Sequence, residues 1–280
     1  MLSILNNVSS LGAQNQLNVT QASLNKTLAQ LSSGQRINSG ADDAAGLAIA
    51  NGLSANITAL TQSVRNASDG VGMLQVADGA LSQITTLLNR AVTLATESAT
   101  GTVSDSQRTA LDAEFSSIKA EIDTIGQKTT YNGQAVFGAA ANLTVFMSDS
   151  SGAGTTSVSV TIGQVDSSHL SSGATPSSIG SDVLTSVASA TAALADINAA
   201  IAGVASLRGT LGASSNQLTA ATNVMNNQIQ NLTNAENGIM AADIGKSTAD
   251  LSKYSILQQT GIAALQQSNQ MQQSVLKLLQ

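Results

Sequence analysis

The chain has no cysteine and no tryptophan, a single proline and a single histidine, and aromatic residues make up only 2% of its 280 positions. Without cysteine there is no disulfide, no thiolate nucleophile and no Cys-ligated metal. Without large aromatic side chains a thick globular core lacks its usual filling. Charged residues are 10% of the chain, against ~25% in a typical soluble protein. The net charge of −6 is mild and nothing basic clusters, so the electrostatic footprint of a nucleic-acid binder is missing. Low charge with 42% hydrophobic residues does not describe solvated disorder either. No run of ~18 apolar residues is present, so no membrane span is expected. The opening MLSILNNVSSLGAQNQ lacks a basic n-region and a sustained apolar core, so no cleaved secretion signal is expected. What remains is a chain whose surfaces are mostly destined to be covered.

The last stretch, YSILQQTGIAALQQSNQMQQSVLKLLQ at 254–280, carries Lys277 as its only charge. At helical spacing it shows two neighbouring stripes. One passes through Leu257, Gly261, Ala264, Met271, Val275 and Leu278; the other passes through Leu251, Tyr254, Ile262, Leu265, Leu276 and Leu279. The first 33 residues are nearly uncharged too, with Leu17, Leu24, Leu28 and Leu31 at helical steps after Ile4, Val8 and Leu11. Ordering a residue costs ~1–2 kcal/mol, and isolated helices rich in Asn, Ser and Gln are marginal in water. Both ends are therefore expected to be largely disordered in a lone monomer and to fold when other copies cover them.

Between the ends, alternating steps of four and three run through Leu53, Ile57, Leu60, Val64, Ala67, Val71, Leu74, Asp78, Leu81, Thr85, Leu88, Val92 and Ala95. The same rule runs from Val183 through Ala190, Ile197, Val204, Arg208, Leu211, Leu218 and Met225 to Ile239. Heptads held this long predict coiled-coil-like helices over 43–99 and 183–239, each ~85 Å long at 1.5 Å per residue and packed antiparallel. A third helix is predicted through Leu111, Phe115, Ile118, Ile122 and Ile125, started by a capping box of Ser104 and Gln107. Asn132-Gly133 marks a tight turn. ANLTVFM and SVSVTI, flanking SDSSGAGTT, alternate as a β-hairpin. Pro176 lies in a loop leading back to the helices. The expected fold is mainly α: an elongated antiparallel bundle of long coiled-coil-like helices with a small β-hairpin region at the end distal from the termini.

LSSGQRINSGADDAAGLAIANGLSANI at 31–57 and SDGVGMLQVADGALSQITTLLNRAVTLATESATG at 68–101 resemble bacterial flagellin, as do TYNGQAVF and ENGIMAADIGKSTADLSKYSILQQTGIAALQQSNQ downstream. The resemblance implies an inner terminal-helix domain (1–42 and 236–280, with a spoke over 34–46), a helical rod domain (43–140 and 177–235) and a short variable region (141–176). It implies a structural subunit of the flagellar filament, outside the cell, polymerising with itself beneath a cap. Implied partners are the cap and hook-filament junction proteins, an export chaperone and the flagellar type III export apparatus. A hook-filament junction protein, or a secreted coiled-coil adhesin or translocator, are the alternative readings.

Asp42 and Asp43 are adjacent and cannot face each other as an acid pair; after Ser39-Gly40 they suit a helix start. In the family this stretch is the spoke, where Arg36, Asp42 and Asp43 would hold neighbouring subunits in register. Arg90, Leu94 and Glu114 match the family's surface for Toll-like receptor 5, although Val92 and Thr93 stand where a basic and an acidic residue are expected. The bare chemistry of Arg90 and Glu114 is a surface ion pair. His169, on a polar loop with no HExxH partner set, reads as a solvated residue. Gly70-Val71-Gly72 lacks the third glycine and the strand of a dinucleotide loop. No cofactor, metal or catalytic residue is expected.

Overall fold

The computed structural model describes residues 7–138, 142–148, 156–170 and 178–278. Five helices hold most of them: α1 (Val8–Ser33), α2 (Ala44–Ser98), α3 (Asp105–Lys128), α4 (Val187–Met240) and α5 (Ile244–Leu278). Four strands lie between α3 and α4: β1 (Thr130–Tyr131), β2 (Gln134–Ala135), β3 (Asn142–Met147) and β4 (Thr156–Thr161). The chain divides into two compact units, residues 1–55 with 231–280, and residues 56–230.

In the second unit α2 and α4 run antiparallel, tied by Arg208 to Asp78. Buried positions on α2 follow the three-and-four rule through Leu60, Ser63, Ala67, Gly70, Leu74, Ala77, Leu81, Ile84, Leu88 and Ala91. Half of this seam is the expected one. The other half is displaced by one residue: Ser63, Gly70, Ala77, Ile84 and Ala91 are inside, whereas Val64, Val71, Asp78, Thr85 and Val92 are half-exposed flanks. On α4 the same displacement buries Ala193, Ala200 and Leu207 in place of Leu194, Ile201 and Arg208. Small side chains thus occupy part of the seam, and branched ones lie along its edges.

An 18-residue window in α4 has a mean hydropathy of 1.5, so by length and composition this helix is apolar enough to cross a bilayer. Its apolarity comes from alanine-rich sequence, which a search for unbroken apolar runs passes over. Here Ala190, Ala193, Ile197, Ala200 and Val204 of that helix are packed against protein.

The capping box forms as expected, with Gln107 Oε1 accepting from Ser104 N–H at 2.9 Å and Gln107 N–H donating to Ser104 Oγ at 3.4 Å. Arg108, 6% exposed, holds the α2–α3 turn by donating to the Ser98 and Thr100 carbonyls at 2.9 Å each. Asn132 (φ 49°) and Gly133 (φ 76°) make the two-residue turn between β1 and β2, where positive φ at both positions demands this pair.

The second hairpin pairs β3 with β4 in antiparallel register, Val145 opposite Val158 and Leu143 opposite Val160. Val145, Met147, Val158 and Val160 point inward, while Phe146 is 50% exposed. Its turn at 149–155, like the Pro176 loop, lies outside the described residues. Ser63 on α2 exchanges hydrogen bonds with Ser148 at 3.1 Å, and Asn66 donates to the Phe146 carbonyl at 3.3 Å. The hairpin therefore lies beside residues 63–70 of α2, ~40 Å along the helix from the α2–α3 turn. Within the second unit, α3 carries the chain back along α2 before the strands begin.

Residues 162–170 and 178–184 then lie along α3. Asp123 accepts from Ser167 N–H (2.7 Å), Lys119 Nζ donates to the Asp182 carbonyl (2.6 Å), and Asp112 accepts from Leu184 N–H (2.7 Å). Gly126 is buried where this segment crosses α3, and any side chain there would run into the Val165 carbonyl.

Candidate assembly surface

The first unit is built on the pairing of α1 with α5. Asn7 caps α1 through its Oδ1, which accepts from Ser10 N–H at 2.9 Å, and its amide reaches Gln272 Oε1 at 3.0 Å. Further along, Gln258 donates to Gln21 at 2.6 Å, and Gly261 faces Leu17. Contacts that descend on α5 as they climb on α1 make the pair antiparallel. The covered line on α1 passes through Ala13, Leu17, Thr20, Leu24, Thr27 and Leu31, and on α5 through Leu251, Tyr254, Gln258, Gly261, Leu265 and Ser268. Half of the α5 line is polar or glycine.

Thr20 and Thr27, 4% and 6% exposed, are its most buried members on α1. Reasoning from leucines alone passes over them. Each hydroxyl is satisfied on its own helix, Thr20 by the Gln16 carbonyl at 2.9 Å and Thr27 by that of Ser23 at 3.0 Å, so the methyl groups are free to pack. The signal was present in their spacing, midway between leucines that recur every seven residues.

Other apolar residues of the two helices stand outside the seam. Val8, Leu11, Val19 and Leu28 on α1, and Ile256, Leu257, Ile262 and Met271 on α5, are between 42% and 71% exposed. Ala264 is exposed with them. Leu17, Leu24, Leu31 and Leu265 are half-covered within the pair. Val275, Leu276 and Leu278 lie on the last turn of α5, and Leu279 lies outside the described residues. The seam of the pair is thus mixed, leucines alternating with threonine, glutamine, glycine and serine, and several large apolar side chains are left outside it.

Residues 34–43 join α1 to α2. Gly34, in the left-handed region at φ 70°, ends α1 by donating its N–H to the Gln30 carbonyl at 2.9 Å. The chain then pairs with the α4–α5 junction: Arg36 N–H bonds the Met240 carbonyl (2.6 Å), Ala242 N–H bonds that of Gly34 (3.0 Å), and the Arg36 guanidinium donates to the Ile239 carbonyl (2.8 Å). Ile37 is buried beneath it, 2% exposed.

The two aspartates have separate tasks. Asp43 caps α2, its Oδ1 accepting from Gly46 N–H at 2.8 Å. Asp42 closes the loop, accepting from the N–H groups of Asn38 (3.2 Å) and Ser39 (3.1 Å) and from Lys26 Nζ at 2.7 Å. The Lys26 hydrogen bond, then the Asn38 amide, hold the Asp42 carboxyl down at about 2. Asp42, Asp43 and Arg36 all have partners within their own chain.

In the second unit, Arg90 on α2 and Glu114 on α3 form an exposed pair at 2.7 Å. The pair raises the guanidinium's pKa and lowers the carboxyl's. Leu94, one turn on, is fully buried. It packs in the helical core rather than presenting a contact, because the seam of α2 passes through it. His169 lies in a tight turn, its Nδ1 2.9 Å from Asp166 Oδ1, with Asp166 and His169 also joined by two backbone hydrogen bonds. Burial works to raise the Asp166 pKa, but hydrogen bonds from His169 and the Ser168 amide hold it low. Among the described residues no group of three His, Asp or Glu side chains is placed to hold a metal ion.

Residues 4–142 match the family model of the bacterial flagellin N-terminal helical region, and residues 194–279 match that of the C-terminal helical region. The chain is 31% identical over 276 residues to a flagellin of Halalkalibacterium halodurans, covering 99% of each chain. It is 30% identical to a flagellin of Listeria monocytogenes, covering 98% of each. Among solved structures it is similar to Bacillus cereus flagellin at 28% identity with a TM-score of 0.48, covering 57% of this chain and 88% of that one.

Proposed function

The chain belongs to the bacterial flagellin family, and we infer from this and from the apolar side chains left exposed on its terminal helix pair how it works. It is a structural subunit of the flagellar filament, outside the cell, and it assembles with further copies of itself into a helical polymer. Head-to-tail contacts that do not close give an open polymer instead of a ring.

The supporting observation is the set of large apolar side chains that α1 and α5 leave exposed outside a seam in which leucines alternate with threonine, glutamine, glycine and serine. A pair with so little to bury internally gains little on its own against the entropy of ordering it. Neighbouring copies supply the missing cover, so folding of the ends is coupled to addition. The interface residues in this reading are Leu28, Leu257, Ile262, Ala264 and Met271, with Val275, Leu276, Leu278 and Leu279 beyond. Arg36, Asp42 and Asp43 hold the linker that carries α1 into place, and so act on register through their own chain.

The finer steps belong to the same proposal. The chain leaves the cell unfolded through the flagellar type III apparatus, attended by a chaperone on its C-terminal helices. It is placed beneath a cap on hook-filament junction proteins. It has no catalytic role. We also propose a contact with Toll-like receptor 5 centred on Arg90 and Glu114, which are half-exposed on adjacent helices, with Leu94 supporting them from beneath. Unchanged receptor signalling by Arg90→Ala would remove that contact.

Circular dichroism of the monomer and of filaments tests the coupling, with helix content expected to rise on assembly. Equal content in both states would exclude it. The paired substitution Leu257→Gln with Ile262→Gln should leave the second unit folded and abolish elongation of filament seeds.

A further inference from the structure

With no cysteine in the chain, methionine is its most readily oxidised aliphatic side chain. The six methionines are not equivalent. Met147 and Met225 are buried at 4% and 6% exposed, Met73 and Met240 are half-covered, and Met1 lies outside the described residues. Met271 alone among the described five is strongly exposed, at 61%.

Its position gives that exposure a consequence. Met271 stands two turns after Ala264 and four after Leu257 on the outward face of α5, and all three are exposed. The next residue, Gln272, turns inward and bonds Asn7. The thioether is thus open to solvent-borne oxidants in the free chain, and lies on the face that assembly would bury.

We propose that Met271 is a reversible oxidation site through which hydroperoxides stop the free subunit from adding to a filament. The inference rests on the self-assembly reading above. In the reaction one oxygen atom passes from hydrogen peroxide to the Met271 sulfur, the sulfur gives up two electrons, and the peroxide is reduced to water. The sulfoxide is a strong acceptor with no donor of its own, on a flexible side chain that had been apolar. Burying it against apolar neighbours without a partner is unfavourable, so the modified subunit is rejected. In an assembled filament the same sulfur is covered, and the finished polymer is protected from the oxidant that disables its precursor.

The full chain is treated with hydrogen peroxide as monomer and, separately, as filaments, and sulfoxide is then quantified at each methionine by peptide mass spectrometry. Met271 should be modified ahead of Met73, Met147, Met225 and Met240 in the monomer and at least about tenfold more slowly in filaments. Oxidised monomer should need about tenfold or more concentration to elongate seeds. Methionine sulfoxide reductase should restore it, and Met271→Leu should elongate normally before and after peroxide. Equal oxidation of Met271 in the two states, or undiminished elongation by monomer oxidised there, overturns the inference and leaves the assembly reading standing. Elongation by Met271→Leu that falls with peroxide as the parent's does also overturns it. An untreated chain that never elongates seeds overturns both.

Discussion

Arg208 on α4 reaches Asp78 on α2 through two parallel hydrogen bonds, Nε to Oδ1 at 2.7 Å and Nη2 to Oδ2 at 3.1 Å. The two residues are 130 positions apart in sequence, and both stand where a heptad would place apolar side chains. They flank the seam instead of entering it, at 37% and 46% side-chain exposure, and a bidentate fork tolerates no axial slip.

The first prediction is that this pair fixes register more than it adds stability. Being partly exposed, it should show a double-mutant coupling of at most ~1 kcal/mol in urea unfolding. Asp78→Arg with Arg208→Asp should restore what either change loses. The Asp78 carboxyl is held below its ordinary value, first by the Arg208 hydrogen bond, so its contribution is present above that ordinary value and is lost as pH falls below it. Coupling well above this, unaffected by salt, would mean a pair deeper in the core than its exposure indicates.

Two glycine substitutions should act in opposite directions. Gly126→Ala sets a methyl group against the Val165 carbonyl and should cost ~1–3 kcal/mol, since the segment along α3 must move away. Gly209, inside α4 with nothing near its missing side chain, should gain up to ~1 kcal/mol on conversion to alanine. Urea unfolding of the monomer checks both.

How much of this was legible in the residues can be judged from particular cases. The long helices, the Ser104 capping box, the Asn132-Gly133 turn and the second hairpin were all readable, because each rests on local pattern. What was not readable depends on what lies opposite. Nothing local says that Ser63 and Gly70 lie inside while Val64 and Val71 flank them, because an apolar count favours the larger side chain. Packing favours the smaller one where the hairpin's Val145 closes on Gly70. Thr20 and Thr27 looked polar until their hydroxyls were seen to be bonded to their own helix. The adjacent Asp42 and Asp43 suggested one capping role, and the second role needed Lys26, distant in sequence, to be brought alongside.

An acid titration should separate two aspartates with opposite signs. Asp42 is held at about 2, against an ordinary value of 3.8, so its support for the 34–43 loop is complete above the ordinary value and is lost as pH falls towards 2. Asp182 is pushed up by burial and then by the Asp196 charge, so its charged form opposes folding, and the chain loses stability as pH rises through its ordinary range. Carboxyl chemical shifts followed by NMR should show Asp182 protonating early and Asp42 late as pH falls. Asp182→Asn should raise the unfolding temperature at neutral pH, and Asp42→Asn should lower protection of the Asn38 and Ser39 amides. A normal titration at Asp42 would dissolve the proposed clasp.

The displaced seam makes the last prediction. If Leu88 and Ala91 lie on the packed line of α2 while Val92 lies on its edge, truncating neighbours should have very unequal effects. Leu88→Ala should cost ~2–5 kcal/mol through the cavity it opens. Val92→Ala removes two methyl groups already in partial contact with water and should cost under ~1.5 kcal/mol. The converse change is sharper, because Ala91 is fully buried and α2 can admit a larger residue there only by moving its neighbours. Ala91→Leu should therefore destabilise by ~1–3 kcal/mol, whereas Val92→Leu should be nearly neutral. Urea unfolding of the four variants reads all of these directly, and a Val92→Ala cost equal to that of Leu88→Ala would return the seam to the simple heptad.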